Sequence, residues 1–190
     1  MNQQGKPAIP AGATKVFEGQ VWSIWQWQQK MYDGSYETFE MVERPDATTA
    51  LLIQDGKILL QEQMQPHREH PFLSLPGGRV DKGEKPEQAI RREVLEETGY
   101  EAQEVILWRS DFPSRQMRWG VYYYIIPSSK KILEPLEQKG EKFKNRWITF
   151  DEFFEVLNDP TFRDRGLLLE CLKMQLDPPK KEAFRKLLGI

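Results

Sequence analysis

The stretch Gly77–Tyr100, GGRVDKGEKPEQAIRREVLEETGY, constrains the fold of this chain more than any other. Two adjacent glycines admit backbone conformations that side chains oppose, so a tight turn is expected after the short apolar strand Leu73-Ser74-Leu75 and Pro76. Pro86 suits a first helical turn, Glu87 suits its positive end and Gly99 suits its stop, which predicts a helix from Lys85 to Thr98. At about 100° per residue, Glu93, Glu96 and Glu97 share an arc of about 100°, flanked by Ile90 and Val94 as packing positions. Carboxylates so spaced repel by roughly 0.2–0.5 kcal/mol per pair on an exposed helix, and by more as water is excluded. A divalent cation reverses that sign. Oxygen donors without a Cys or His partner point to Mg2+ or Mn2+, and Mg2+ keeps positions open for water and phosphate. The alternative is a solvated acidic face balanced by Lys85, Arg91 and Arg92.

The remaining segments are read by how they could frame this stretch. Residues 1–14 carry Gly, Pro and Ala and are expected to form a loose tail. Residues 15–45 alternate polar and aromatic positions around an Asp33-Gly34 turn, which predicts two or three antiparallel strands. Trp22, Trp25 and Trp27 in that region suit core or dimer packing, or stacking against a base. Ala47–Gln54 and Lys57–Gln63 flank Asp55-Gly56 and read as a central hairpin. His67 and His70 sit in a charged, loop-like segment with no ligand set to complete a zinc site. Glu104–Trp108 and Gly120–Pro127 add core strands, with Arg115 and Arg118 in the loop between them, free to meet phosphate or solvent. The end of the chain reads as a strand, a helix opened by Thr149 or Asp151, and helices over Leu167–Met174 and Lys180–Leu188 with no chemistry of their own.

Gly78, five residues, Glu84, seven residues, Arg92-Glu93-Val94, one residue, Glu96-Glu97, one residue and Gly99 together resemble the box of the Nudix hydrolases, with Tyr100 where an aliphatic residue is usual. The resemblance implies an α/β fold, the Nudix α/β/α sandwich with a mixed sheet over residues 46–190, beside the small N-terminal antiparallel region. It implies metal held by Glu93, Glu96, Glu97 and the carbonyl of Gly77, with Arg92 and Glu84 orienting the site. Glu141, ahead of the last strand, is similar to the acidic residue that completes the site in many members, so the general base is Glu93 or Glu141.

Outside the box, Glu43-Arg44-Pro45 and Glu62-Gln63 resemble the ADP-ribose pyrophosphatase branch. That likeness implies a homodimer formed through the N-terminal strands and substrate contacts from Arg44, Gln65, Trp25 and Trp27. Gln65 replaces an arginine common in that branch, and Ser110-Asp111-Phe112-Pro113-Ser114 lacks its Ser-Pro-Gly. The implied activity is Mg2+-dependent hydrolysis of a nucleoside diphosphate linked to another group, such as a nucleotide sugar, releasing a nucleoside monophosphate. Two alternatives stand beside it: a nucleoside triphosphate or RNA-end pyrophosphohydrolase, and a nucleotide-sugar sensor without turnover.

Charge and composition narrow the partners. A net charge of −2 gives no basic field for long nucleic acid, which favours a small nucleotide substrate. The single cysteine, Cys171, lies in an apolar run and reads as a buried thiol, consistent with a reducing, cytoplasmic setting. No apolar run reaches the roughly 18 residues of a membrane span.

Overall fold

The computed structural model describes residues 5–136 and 140–190; Glu137, in the acidic loop ahead of the last strand, lies outside them. Three strands follow the leading segment, β1 (Thr14–Glu18), β2 (Ser23–Lys30) and β3 (Tyr36–Glu43), paired antiparallel in sequence order. The residues before β1 are not loose throughout. Lys6 pairs with Asp46 at 2.7 Å, and the carbonyl of Pro7 accepts from Arg118 at 3.4 Å, because two charged groups on the body of the protein reach them.

The core is a mixed sheet. β4 (Ala47–Gln54) and β5 (Lys57–Met64) form the expected hairpin, turned by Asp55 at φ 49° and Gly56 at φ 70°. β6 (Phe72–Ser74) pairs with β5, and α1 (Pro86–Thr98) follows the glycine turn. Helix α1 ends as the sequence implies, with Gly99 left-handed at φ 76° and its N–H donating to the Leu95 carbonyl.

β7 (Tyr100–Asp111), β8 (Met117–Arg118), β9 (Val121–Lys131) and β10 (Lys142–Ile148) complete the strands. The core order is β10-β5-β4-β9-β7, with β4 and β9 parallel and the other pairs antiparallel. β7 and β9 run beyond their expected ends. The segment expected to be a loop between them holds β8, which pairs parallel with β3 and makes a four-stranded sheet. Two residues are too few to show a strand pattern.

The alternation of β4 assigns the two faces. Ala50 and Leu52 pack with Leu59, Ile90, Val94 and Ile126 beneath α1, whereas Leu51 and Ile53 face the opposite layer. That layer consists of α2 (Phe150–Val156), α3 (Arg165–Gln175) and α4 (Pro178–Leu187), which bury Phe153, Leu167 and Phe184. Thr149 caps α2 by accepting from the Glu152 N–H at 3.3 Å. Helices therefore cover both faces of a mixed sheet. Cys171 is buried in the second layer, and burial pushes its thiol up to about 12. Tyr100 packs edge-on to Trp147, with ring centres 5.6 Å apart, so an aromatic ring fills the position after Gly99. No helix among the described residues is long and apolar enough to cross a membrane.

Candidate active site

The loop from Pro76 to Val80 is laid along β4 by backbone bonds. Ala50 N–H donates to Pro76 O at 2.9 Å, Thr48 N–H to Gly78 O at 2.8 Å and Val80 N–H to Asp46 O at 2.9 Å. Gly77, at φ 149°, has no room for a Cβ against the Thr48 carbonyl, and a Cβ on Gly78 would collide with the Glu93 carboxylate. Gly77 is thus required by the close approach of loop and strand, and Gly78 leaves room for the Glu93 carboxylate.

Helix α1 presents its acidic edge to this loop. Glu97 is 4% exposed, and its Oε2 accepts from the Gly77 N–H at 3.0 Å. Burial, together with the charges of Glu93 and Glu141, raises its proton affinity well above that of an ordinary carboxyl. Glu93 is raised mainly by burial, despite the opposing effect of Arg92.

The Arg92 guanidinium organises the edge. It donates from Nε and Nη2 to the two oxygens of Glu84 at 3.1 and 3.0 Å, from Nη1 to Glu93 at 2.8 Å, and from Nη2 to the Arg79 carbonyl at 3.0 Å. It also reaches Glu96 at 3.4 Å. The hydrogen bond from Arg92 holds the Glu84 carboxyl below its ordinary range. The sequence expectation that Arg92 and Glu84 orient the carboxylates thus has a definite geometry here.

Among the described residues, no three His, Cys, Asp or Glu groups already converge as an ion-holding set. The donor chemistry nonetheless fits a hard divalent cation. Carboxylate oxygens crowd one edge, and the innermost of them is buried with a raised proton affinity. Mg2+ or Mn2+ would be held by Glu93, Glu96 and Glu97, the residues that the box resemblance assigns.

A cleft of about 1140 Å³ opens beside α1. Glu93, Glu96, Glu97 and Glu141 line it, as do Gly77, Arg92, Arg44 and Gln65. Glu141, far from the box in sequence, accepts from the Gln65 amide at 3.0 Å and influences Glu97 electrostatically. Glu84 acts from outside the lining, through Arg92.

Trp25 and Trp27 do not line this cleft. The Trp25 indole donates to Glu43 at 2.9 Å, and Trp27 donates to Gln29 at 3.0 Å and packs on Phe39 with ring centres 6.1 Å apart. Two positions apart on β2, they share a sheet face directed elsewhere. Trp22 and Trp119 take the place expected of them. Arg44 lies between these two rings, its guanidinium carbon 5.0 Å from one centre and 4.8 Å from the other.

Several lining residues carry no sequence signal of their role. Trp119 follows β8, and Arg163 and Asp164 precede α3 in a region that reads as plain helical cover. Arg118, expected to be open to phosphate or solvent, pairs with Glu43 at 3.0 Å. His67 lines the cleft, whereas His70 does not.

Residues 43–170 match the NUDIX domain model, and this match spans more than half of the chain. The chain belongs to the Nudix family. It is a Nudix hydrolase, a pyrophosphatase acting on a phosphate anhydride, and members of the family use divalent metal cofactors. The Nudix chain is 27% identical over 157 residues to an ADP-ribose pyrophosphatase of Bacillus subtilis (strain 168), covering 82% of this chain and 80% of that protein. It is 30% identical over 147 residues to the methanol dehydrogenase activator of Bacillus methanolicus, covering 75% of this chain and 73% of that protein. A crystal structure of an ADP compounds hydrolase shares the Nudix fold with a TM-score of 0.70, at 19% identity, over 93% of this chain and 97% of that one.

Proposed function

We propose that this Nudix hydrolase cleaves the diphosphate of a nucleoside diphosphate linked to a second moiety, of the nucleotide-sugar class that includes ADP-ribose. The observation that carries this reading is one cleft lined both by carboxylates of α1 and by an arginine between two indoles. A diphosphate with organic groups on both sides suits that mixture of metal-binding, cationic and aromatic lining. The similarity to an ADP-ribose pyrophosphatase supports the same class.

When bound at Glu93, Glu96 and Glu97, a divalent cation supplies positive charge for the anhydride oxygens and lowers the pKa of water. Arg92 keeps Glu93 in place through the charge-assisted bond at 2.8 Å. Glu93 or Glu141 would accept the proton of the attacking water. Glu93 has a proton affinity raised by burial and is held by Arg92, whereas Glu141 is held by the neutral Gln65 amide, and either would serve as the base. Arg44 would hold a phosphoryl oxygen, and Trp22 and Trp119 would exclude water around it.

The exposed apolar residues of the N-terminal sheet, among them Val16, Phe17 and Phe39, support its use as a homodimer contact. We place the protein in the cytoplasm on its free, buried thiol. The division into residues 1–14, 15–45 and 46–190 belongs to the same reading.

Purified protein with Mg2+ should be incubated with ADP-ribose, other nucleotide sugars, nucleoside triphosphates including 8-oxo-dGTP, and triphosphate-ended RNA. Release of nucleoside monophosphate from the first two groups in preference to the rest is the expected result. Preference for triphosphates or RNA ends would replace the substrate assignment. Thermal stabilisation without product would make the domain a sensor.

A further inference from the structure

The lining of the cleft contains a second arginine, Arg163, whose position the box does not set. Residues 161–164 run along β6: Leu73 N–H donates to Thr161 O at 3.2 Å, Arg163 N–H to Leu73 O at 2.8 Å, and Leu75 N–H to Asp164 Oδ2 at 3.0 Å. Phe162, 1% exposed, anchors the segment in the core. The Arg163 guanidinium carbon lies 5.7 Å from the Phe72 ring centre, so a buried ring supports it. The C-terminal helical layer therefore delivers Arg163 to the cleft on a fixed backbone.

Arg163, which is exposed, and Arg44, which is half-buried, both line the cleft. Among the described residues, neither has a carboxylate within ion-pair distance; Asp164 feels the field of Arg163, but its bonded oxygen is committed to Leu75. Burial first, and then the charges of Arg163 and Arg79, push the pKa of Arg44 down, so holding these cations together is unfavourable as the protein stands. The Nε of Arg44 and the Nε1 of Trp119 are buried without any hydrogen-bond partner, and both residues line the cleft. Orphaned donors beside like charges call for an anionic acceptor.

We propose that Arg163, with Arg44 and the Trp119 indole N–H, forms an anion subsite that holds a phosphoryl group of the substrate in the cleft that the carboxylates of α1 also line. The proposal rests on the reading of the cleft as a diphosphate site. It gives the C-terminal segment a part in substrate selection: a phosphoryl group would be held in part by a residue that the box does not set.

The test uses inorganic pyrophosphate as the probe and full-length protein with chelator present, at low ionic strength. Binding is read by calorimetry and by tryptophan fluorescence, since Trp22 and Trp119 flank Arg44. Saturable binding is expected in the unaltered protein. Arg163→Ala should weaken it by roughly tenfold or more. Arg163→Lys should recover part of the loss, and Lys180→Ala, which removes a charge from the outer face of α4, should bind as the unaltered protein does. Melting curves for each variant confirm folding.

Equal affinity in Arg163→Ala and the unaltered protein would overturn the subsite, as would the absence of saturable binding in the unaltered protein. The two readings fail separately. Pyrophosphate binding that depends on Arg163, without turnover of any nucleotide, removes the proposed activity and leaves the subsite. Nucleotide turnover with KM unaffected by Arg163→Ala does the reverse.

Discussion

Replacing Arg92 by alanine should destabilise the metal-free protein by about 3 kcal/mol, because one guanidinium joins the loop to the acidic edge of α1. Four bonds of 2.8–3.1 Å are lost: two to Glu84, one to Glu93 and one to the Arg79 carbonyl. Hydrogen bonds to charged groups contribute roughly 1.5–3 kcal/mol each, but these are not additive. The side chain of Arg92 is 30% exposed, so water can reach Glu84 and the carbonyl once the guanidinium is gone. The Glu93 side chain, 12% exposed, cannot be rehydrated as well and would be left beside Glu97 without compensation. A net loss of about 3 kcal/mol corresponds to roughly 6–12 °C in Tm for a chain of this size. Arg92→Lys retains the charge but not the paired grip on Glu84, so it should lose about half as much. Scanning calorimetry at pH 7 with chelator measures both variants. A Tm for Arg92→Ala within about 1 °C of the unaltered protein would refute the reasoning, since it would mean that the observed geometry has no energetic consequence.

Glu97 should make metal-free stability depend on pH. Burial raises its folded pKa well above the ordinary 4.5, so the folded state binds more protons between those two values. Stability should therefore rise as pH falls through the raised value toward about 4.5, and Glu97→Gln should lack that contribution. The Tm difference between the two proteins across pH checks the sign; a constant difference would contradict it. In the opposite layer, Phe153 is fully buried against Phe154, with ring centres 6.0 Å apart. Phe153→Ala should cost about 3–5 kcal/mol in urea unfolding, and a loss below about 1 kcal/mol would show that the site collapses around the missing ring.

The parts of the site that follow from local rules were legible in the sequence. Helix α1 is specified at both ends by Pro86 and Gly99, and the angular spacing of Glu93, Glu96 and Glu97 follows from the helix alone. The β4–β5 hairpin follows from two residues, Asp55 and Gly56, that tolerate left-handed backbone. What sequence could not assign depends on contacts between distant segments. Trp25 and Trp27 show the clearest alternation, yet alternation only says that they share a face, and the face at the cleft belongs to Trp22 just before β2. Trp119 reaches Arg44 because β8 pairs with β3 across 75 positions, a pairing no local pattern in two residues could announce. Arg163 arrives because its backbone bonds to Leu73 ninety positions earlier. Gln65, expected at the substrate, is in the cleft but bonded to Glu141, and as a neutral amide it adds no positive charge to a lining that holds Arg44 and Arg163.

The central claim, that the α1 carboxylates hold the metal on which anhydride cleavage depends, is tested most directly by one comparison. Release of nucleoside monophosphate from the best nucleotide substrate is measured with Mg2+ for the unaltered protein and for Glu97→Gln, with folding verified by melting. The account predicts a Mg2+-dependent rate in the first and a loss of orders of magnitude in the second. An undiminished rate in folded Glu97→Gln would contradict it.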